Sequence, residues 1–184
     1  NGSVMRLAPV PMFYGHEPKQ AIEVSGESSK TTHGTKVAID ACRYFGALLY
    51  GALNGVDKAE LLSEKYAPIP NYWDAYPLAP EIEEVALGSY KNKQPPEIEN
   101  SGYVVKTLES VLWAFFNTDS YKEGCLKVVN LGDDADTAGS MYGQLAGAYY
   151  GETEIPGSWR EKIVQHDMIV IFAEKLFELS RISE

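Results

Sequence analysis

The amino-acid sequence predicts an all-α fold, and three observations lead to that prediction. Apolar residues recur at spacings of three and four along each long segment, as they do on the buried face of a helix. No segment alternates apolar and polar residues in the way that a half-buried strand would. The apolar stripes are broad rather than heptad seams, which favours an orthogonal bundle of crossing helices over a coiled coil.

The helices are assigned from the segments with helical periodicity. The clearest of these covers residues 33–53, and glycines mark its end. A second helix covers residues 105–115, and the polar turn after it can cap a third helix around Cys125. The last apolar stripe contains Met168, Ile171, Phe172, Leu176 and Leu179. Shorter helices are expected at residues 18–24, 57–66 and 80–90.

Two irregular stretches interrupt the predicted helices. Residues 67–80 contain four prolines together with Tyr72, Trp73 and Tyr76, and residues 91–101 are polar. Both stretches are typical of surface loops. The aromatic residues of the first could instead line a ligand site or a partner surface, because binding residues are often carried on loops.

Charge and composition exclude some classes of partner. The chain has 16 Lys and Arg residues against 26 Asp and Glu residues, a net charge of −10. We therefore expect no nucleic acid and no membrane partner, since both attract clustered basic residues. No apolar run is long enough to span a bilayer, and the first residues lack a secretion signal. Cys42 and Cys125 lie on the apolar faces of separate predicted helices and are expected to be buried, reduced thiols, which is typical of a cytoplasmic protein.

A run of acidic residues precedes one of the predicted helices. Asp133, Asp134 and Asp136 are followed by Thr137. A helix start accommodates one or two acids, but three clustered carboxylates repel one another and indicate a bound cation. Hard oxygen ligands suit Mg²⁺, Mn²⁺ or Ca²⁺, and we expect Asp134 and Asp136 to converge on one ion. An EF-hand is excluded, because the position that requires a bidentate Glu is occupied by Leu145.

Glycines recur at every fourth residue in the helix that follows the acids. They are Gly139, Gly143, Gly147 and Gly151, and they share one face of the helix. Glycine lowers helix stability, so this face requires a compensating interaction. We expect a second helix or a ligand to lie directly against the backbone there.

Several segments, taken together, resemble the ADP-ribosylglycohydrolase family. They are the acidic run at 132–137, the glycine-rich helix that ends at 145–151 and Ile155-Pro156 with Trp159. Residues 1–9, 31–33 and 102–105 add further matches in the family's order. The resemblance covers almost the whole chain, and the bacterial dinitrogenase reductase-activating glycohydrolases are similar in these motifs.

The resemblance implies an orthogonal all-helical bundle that binds two divalent cations, Mg²⁺ or Mn²⁺. The family's Asp-x-Asp-Thr motif supplies metal ligands, and it falls on Asp134, Asp136 and Thr137 of this chain. Asp133 lies outside the matched ligand positions and is interpreted as a helix-start acid.

The resemblance also implies a set of substrate-binding residues. In the family, one loop approaches the ADP-ribose phosphates, one histidine lines the ligand cleft and one segment lies near the ribose. The matching residues here are Asn1, Gly2, Ser3, His33, Gly102 and Tyr103. Arg6 is open to two interpretations, as a buried structural ion pair or as a phosphate contact.

The chain departs from the family pattern at its N-terminal side. A Thr-Asp-Asp-Thr run and the acidic residue nearest the scissile bond normally precede the matched region, and neither occurs in residues 1–184. We therefore expect the chain to be the C-terminal part of a single domain, incomplete at its N-terminus, with the missing half as its partner. The general acid and base are expected in that missing half, so no catalytic residue is assigned here.

The expected function is hydrolysis of the bond between ADP-ribose and a protein side chain, with arginine favoured. The partners would be an ADP-ribosylated protein or ADP-ribose itself, and this chain alone is expected to be inactive. The alternative is a catalytically inactive relative that binds ADP-ribose or has a structural, crystallin-like role.

Overall fold

The structure, a computed structural model, describes residues 1–182 and is built from helices. The described chain contains α1 (Pro9–Phe13), α2 (Pro18–Lys30), α3 (Lys36–Leu53), α4 (Lys58–Leu61), α5 (Tyr72–Ala75), α6 (Pro80–Ala86), α7 (Val104–Phe116), α8 (Tyr121–Val129), α9 (Ala135–Tyr150), α10 (Gly157–Arg160) and α11 (His166–Ile182). Short 3₁₀ turns occur at Val4–Arg6, Ser89–Asn92 and Glu152–Glu154. Residues 1–182 include no strand, so the predicted all-α class is confirmed. None of the described helices is both long and apolar enough to cross a membrane.

Three helices pack against one another at the centre of the fold. They are α3, α7 and α9, with α2 lying against α3 and with α8 lying against both α7 and α9. The largest fully buried side chains of these three helices are aromatic, among them Tyr44, Phe45, Phe115 and Tyr142. Burial of apolar area at this junction is the main stabilising contribution to the fold.

The long predicted helices are confirmed, with small shifts at their ends. The predicted 33–53 helix begins at Lys36, because Thr35 is the N-cap and its hydroxyl accepts a hydrogen bond from the Ala38 N–H at 3.3 Å. His33 therefore lies in the connection before α3. Ser120 caps α8 in the same way, through the Glu123 N–H at 3.2 Å, as the polar turn indicated.

The aromatic stretch at residues 67–80 is a surface loop only in part, because two of its three aromatic side chains lie in the core while Tyr76 is 45 % exposed. Tyr72 and Trp73 are buried in α5, and the Trp73 ring packs edge-on against Tyr44 with centroids 6.1 Å apart. The Trp73 Nε1–H donates to the Tyr66 carbonyl at 2.9 Å. Prolines occur at both ends of the segment. The indole ring of Trp73 can be buried because its N–H has a hydrogen-bond partner inside the fold.

The C-terminal helix forms as predicted, but its apolar stripe remains exposed. Met168, Phe172 and Leu179 are 46 %, 63 % and 53 % exposed. The helix packs against α1, which has five residues. A helix as short as α1 covers only part of the wide apolar arc of α11.

The glycine face of α9 meets α8 along half of its length. A Cβ at Gly139 would lie 3.0 Å from Val129 Cγ1, and one at Gly143 would lie 3.2 Å from the Tyr121 hydroxyl. The expected close approach is therefore confirmed at these two positions. It is wrong at Gly147, which has open space, and at Gly151, which ends the helix with φ +85°.

The tightest contact between α8 and α9 is at Gly124, which the periodicity did not indicate. A Cβ there would overlap the Tyr142 hydroxyl and would lie 2.6 Å from Thr118 Oγ1. Tyr142 is fully buried and Thr118 is 3 % exposed, so neither side chain has space to withdraw.

We predict that Gly124→Ala destabilises the protein by roughly 1–3 kcal/mol, because the added methyl overpacks a filled interface. Gly147→Ala is the matched control, since its Cβ enters open space. This control should stabilise the protein by roughly 0.5–1 kcal/mol through helix propensity alone. Urea unfolding followed by circular dichroism measures both changes, and equal effects of the two substitutions would contradict the packing argument.

Candidate metal and ligand site

The first residues of the chain are held against α9 by polar side chains. Gln144 Nε2 donates to the Met5 carbonyl at 2.9 Å, and its Oε1 accepts from the Ala8 N–H at 2.7 Å. Ser140 Oγ donates to the Met5 carbonyl at 3.0 Å. These bonds satisfy backbone groups of the 3₁₀ turn Val4–Arg6 and fix its distance from the start of α9.

The side-chain amide of Asn1 joins three segments of the fold. Its Nδ2 lies 2.6 Å from Asp134 Oδ2, 2.9 Å from Thr107 Oγ1 and 3.1 Å from the Ser101 carbonyl. The backbone nitrogen of Asn1 lies 3.3 Å from the Gly102 carbonyl. One amide group therefore connects the chain start, the residues before α7 and the residue before α9.

Asp134 occupies the N-cap position of α9, but its carboxylate does not cap the helix. Oδ1 accepts from the Thr137 hydroxyl at 2.9 Å, and Oδ2 accepts from Asn1. These hydrogen bonds, that from Asn1 first, lower the pKa of Asp134 below its usual value, although partial burial acts in the opposite direction. Asp136 also contributes to the lowering of this pKa.

A strained turn directs Asp134 toward Asn1. Gly132 and Asp133 have φ of +77° and +51°, so two successive residues are left-handed. The buried Asn100 supports this turn, because its Nδ2 donates to the Gly132 carbonyl at 3.1 Å and to the Val128 carbonyl at 2.9 Å. Asn100 Oδ1 in turn accepts from Ser110 Oγ at 2.7 Å, which anchors the amide to α7.

His33 lies directly beside Gly2. A Cβ at Gly2 would be 3.1 Å from His33 Cε1 and 3.4 Å from Nε2, so any larger residue would push against the ring. The imidazole Nδ1 lies 2.8 Å from Thr32 Oγ1. The matched histidine and the matched glycine loop therefore come together, although they lie 31 positions apart in the sequence.

Ser3 belongs to the protein interior. Its side chain is buried, and its hydroxyl is hydrogen-bonded to Ser29 Oγ at 3.0 Å and to Cys42 Sγ at 3.5 Å. Burial raises the pKa of Cys42, and both cysteines are free thiols, with Cys125 half-buried. Of the first three residues, Asn1 and Gly2 lie at the candidate site, whereas Ser3 anchors the loop to the interior through its hydrogen bonds.

Gly102 and Tyr103 lie at the start of α7, next to Asn1. Gly102 is exposed and has open space around its Cα, and the Tyr103 side chain is half exposed. Tyr103 is the N-cap residue of α7, and its N–H lies 3.1 Å from Ser101 Oγ. The predicted ribose-side segment is therefore adjacent to the predicted phosphate-side loop.

The candidate metal ligands lie at the start of α9. Asp134 is its N-cap residue and Asp136 and Thr137 belong to its first turn, so together they offer two carboxylates and a hydroxyl. This donor set is all oxygen, which fits Mg²⁺ or Mn²⁺. Within residues 1–182 no group of three or more His, Cys, Asp or Glu residues gathers in a metal-binding arrangement. The residues present therefore fit one side of a metal site and leave other positions of the coordination shell to other donors.

Three polar residues of the site were missed by sequence reasoning. Thr107 is fully buried and links Asn1 to the Ser101 carbonyl. Asn100 and Gln144 hold the two backbone segments described above. Only Thr107 carried a detectable signal, since it is a polar residue within the apolar face of a helix.

Comparison with known proteins agrees with this geometry. The sequence profile described as ADP-ribosylglycohydrolase matches residues 1–184, and the chain belongs to that family. It is 38 % identical over 178 residues to the ADP-ribosylarginine hydrolase Tri1 of Pseudomonas putida (strain GB-1), which covers 97 % of this chain and 46 % of that protein. It is 27 % identical over 163 residues to the ADP-ribosyl-[dinitrogen reductase] glycohydrolase of Rhodospirillum rubrum, covering 89 % and 50 %.

A solved structure has the same fold. It is described as an ADP-ribosylglycohydrolase-related protein complex, and it superposes with a TM-score of 0.86 at 36 % identity. The match covers 98 % of this chain and 60 % of that one. This chain therefore spans about half the length of the curated relatives named above.

We predict that Thr137→Val raises the pKa of Asp134, because the ionised carboxylate loses a hydrogen-bond donor. A lowered pKa stabilises the fold above the pKa of the unfolded chain, and that stability is lost as the pH falls through the folded value. The difference in unfolding free energy between parent and variant should therefore shrink on acidification. Carboxyl ¹³C shifts of Asp134 measure the pKa directly.

Thr153→Val is the matched control, since Thr153 is exposed in the 3₁₀ turn Glu152–Glu154. The control should leave the Asp134 titration unchanged. An Asp134 titration that is identical in Thr137→Val and the parent would show that the Thr137 hydroxyl does not stabilise the ionised carboxylate.

Proposed function

We propose that this chain carries the ADP-ribose-binding face and one side of the metal site of a hydrolase that releases ADP-ribose from arginine side chains of proteins. The observation that carries the proposal is the contact of Asn1 with both Asp134 and the Gly102 segment. It joins the predicted phosphate loop, the predicted ribose segment and the proposed metal ligands in one place. The named activity of the Pseudomonas putida relative, which is an ADP-ribosylarginine hydrolase, supports the choice of linkage.

Two divalent cations, Mg²⁺ or Mn²⁺, would be held in part by Asp134, Asp136 and Thr137. When bound, such ions supply the positive charge that polarises oxygen atoms and orients a water molecule. Mg²⁺ takes about six oxygen ligands in near-octahedral geometry, so these residues account for about half of one shell. We propose that residues preceding the matched region, where the family resemblance has its second acidic run, supply the remainder.

The chain's own residues would act by binding and orientation. Asn1 and Thr137 keep the Asp134 carboxylate ionised and pointed toward the site. The absence of a side chain at Gly2 lets the His33 ring lie close to the backbone of the proposed phosphate loop. The half-exposed Tyr103 offers an aromatic face and a hydroxyl to a sugar. We assign no general acid or base to these residues.

A second candidate function is ADP-ribose binding without turnover, or a structural role. The specific observation that favours it is the small number of carboxylates, since Asp134 and Asp136 are the two acidic ligands proposed here. Binding and hydrolysis are separated by measuring ADP-ribose affinity and ADP-ribose release on the same samples.

We predict that Mn²⁺ broadens the amide NMR resonances of residues 134–137 first, because the proposed ligands lie in this turn. Asp136→Asn should reduce the broadening by removing one carboxylate ligand. Asp133→Asn is the matched control, since Asp133 is the adjacent exposed acid outside the ligand set. Equal loss of broadening in both variants would mean that Mn²⁺ responds to general negative charge.

We predict that the chain alone does not release ADP-ribose from arginine-modified protein in the presence of Mg²⁺ or Mn²⁺. Addition of the part of the Pseudomonas putida relative that lies outside the match should produce turnover, because it supplies the missing ligands. In that mixture Asp136→Asn should abolish release while the helical circular-dichroism signal is retained, and Asp133→Asn should keep release near the parent rate.

Two outcomes would contradict this proposal. Rapid release by the chain alone would show that its own residues contain the full catalytic set. Tight binding of ADP-ribose without release, in both the chain alone and the mixture, would favour the binding relative over the hydrolase.

A further inference from the structure

We propose that Arg6 and Thr32 fix the protonation pattern of the His33 ring, so that His33 presents an Nε2–H donor beside Gly2. Arg6 Nη2 donates to Thr32 Oγ1 at 2.8 Å, and the same Oγ1 lies 2.8 Å from His33 Nδ1. Arg6 would thus be a positioning residue that acts through Thr32.

The direction of the bond between Thr32 and His33 decides where the ring proton lies. A guanidinium group only donates, so Thr32 Oγ1 accepts from Arg6 through one of its two lone pairs. The hydroxyl can then either accept from a protonated His33 Nδ1 or donate its single hydrogen to an unprotonated one. The second arrangement pairs the hydroxyl hydrogen with a protein acceptor, and in it Nδ1 is the acceptor. A neutral imidazole with an unprotonated Nδ1 carries its proton on Nε2.

The backbone of His33 is held independently of the Thr32 side chain. The Ser29 hydroxyl donates to the His33 carbonyl at 2.9 Å, and the His33 N–H donates to the Ser29 carbonyl at 2.7 Å. Ser29 is buried near the end of α2, so the backbone of His33 is anchored to the core. The Arg6–Thr32 contact therefore acts on the His33 ring and not on the backbone that carries it.

The proton on Nε2 faces the chain start. Cε1 and Nε2 are the ring atoms nearest to the Cβ position of Gly2, at 3.1 and 3.4 Å. An Nε2–H at this place would bind an acceptor, such as an anionic oxygen, whereas an unprotonated Nε2 would repel it. This last step rests on the proposed function, since it assumes that ADP-ribose oxygen atoms reach Gly2. The location of the proton itself does not.

Thr31 provides a matched comparison for Thr32. Arg6 Nη2 also donates to Thr31 Oγ1, at 3.0 Å, but that hydroxyl donates to the Ser28 carbonyl at 2.9 Å. Thr31 therefore shares the Arg6 contact and has no connection to the His33 ring. If Arg6 instead acted by contacting a phosphate directly, replacing Thr31 and replacing Thr32 would have the same effect on ligand binding.

The test is long-range ¹H–¹⁵N NMR of the full chain labelled at its histidine rings, without ligand. The chain has three histidines, and the His33 signals are assigned by their loss in His33→Gln. At about pH 8, where an ordinary imidazole is neutral, the parent should show an unprotonated Nδ1 and a protonated Nε2. Thr32→Val should move the two ¹⁵N shifts toward each other, and Arg6→Met should move them in the same direction. Thr31→Val should leave them unchanged.

A protonated Nδ1 in the parent, or unchanged ¹⁵N shifts in Thr32→Val, would overturn the proposal. A titration with ADP-ribose then examines the consequence for binding. Thr32→Val should weaken affinity by roughly tenfold, as expected for one hydrogen bond to an anionic oxygen, and Thr31→Val should not. If the parent does not bind ADP-ribose, the proposed function fails while the NMR result still decides the location of the proton.

Discussion

The side-chain amide of Asn1 has two hydrogens and lies within hydrogen-bond distance of three acceptors, and much of the site depends on how they share it. The acceptors belong to the N-cap of α9, the first turn of α7 and the segment before α7. Because Asp134 has the shortest of these distances, the ionised carboxylate is the preferred partner. The Asp134 carboxylate therefore makes no hydrogen bond to the free backbone N–H groups of α9, which an N-cap aspartate ordinarily accepts.

The close packing of α9 is what allows the chain start to reach Asp134. Gly139 and Gly143 let Val129 and Tyr121 of α8 approach the α9 backbone, and Gly124 makes room for Tyr142 in return. These glycines reduce helix propensity, and dispersion attraction between the closely packed helices offsets that loss. With α8, α7 and α3 packed against it, α9 presents its remaining polar residues, Ser140 and Gln144, to the first turn of the chain.

Local patterns in the sequence were sufficient for the long helices and for the N-cap of α8. Ser120 capped α8 as expected, because capping involves residues three apart. The buried position of Trp73 could not be obtained in this way, since its partner Tyr44 lies in a different helix. Asn100 and Gln144 were missed for the same reason: their importance comes from long-range hydrogen bonds to backbone groups that no periodicity reveals. In α11 the helix was predicted correctly, but its apolar residues are exposed. Amphipathic periodicity identifies a helix and does not show what packs against its apolar face.

Arg6 illustrates how a change in helix type alters the meaning of a pattern. Its place in an apolar run left a buried ion pair and a phosphate contact both open, and the run forms a 3₁₀ turn, where every third residue shares a side. Val4 and Leu7 are therefore buried together, and Met5 and Arg6 are directed outward. From that exposed position the guanidinium reaches the hydroxyls of Thr31 and Thr32, which are neutral partners. A hydroxyl has one hydrogen and can relay the effect of a donor, whereas a carboxylate has none and would end the chain of hydrogen bonds at Arg6. The connection from Arg6 to His33 therefore requires the neutral partner that the structure provides.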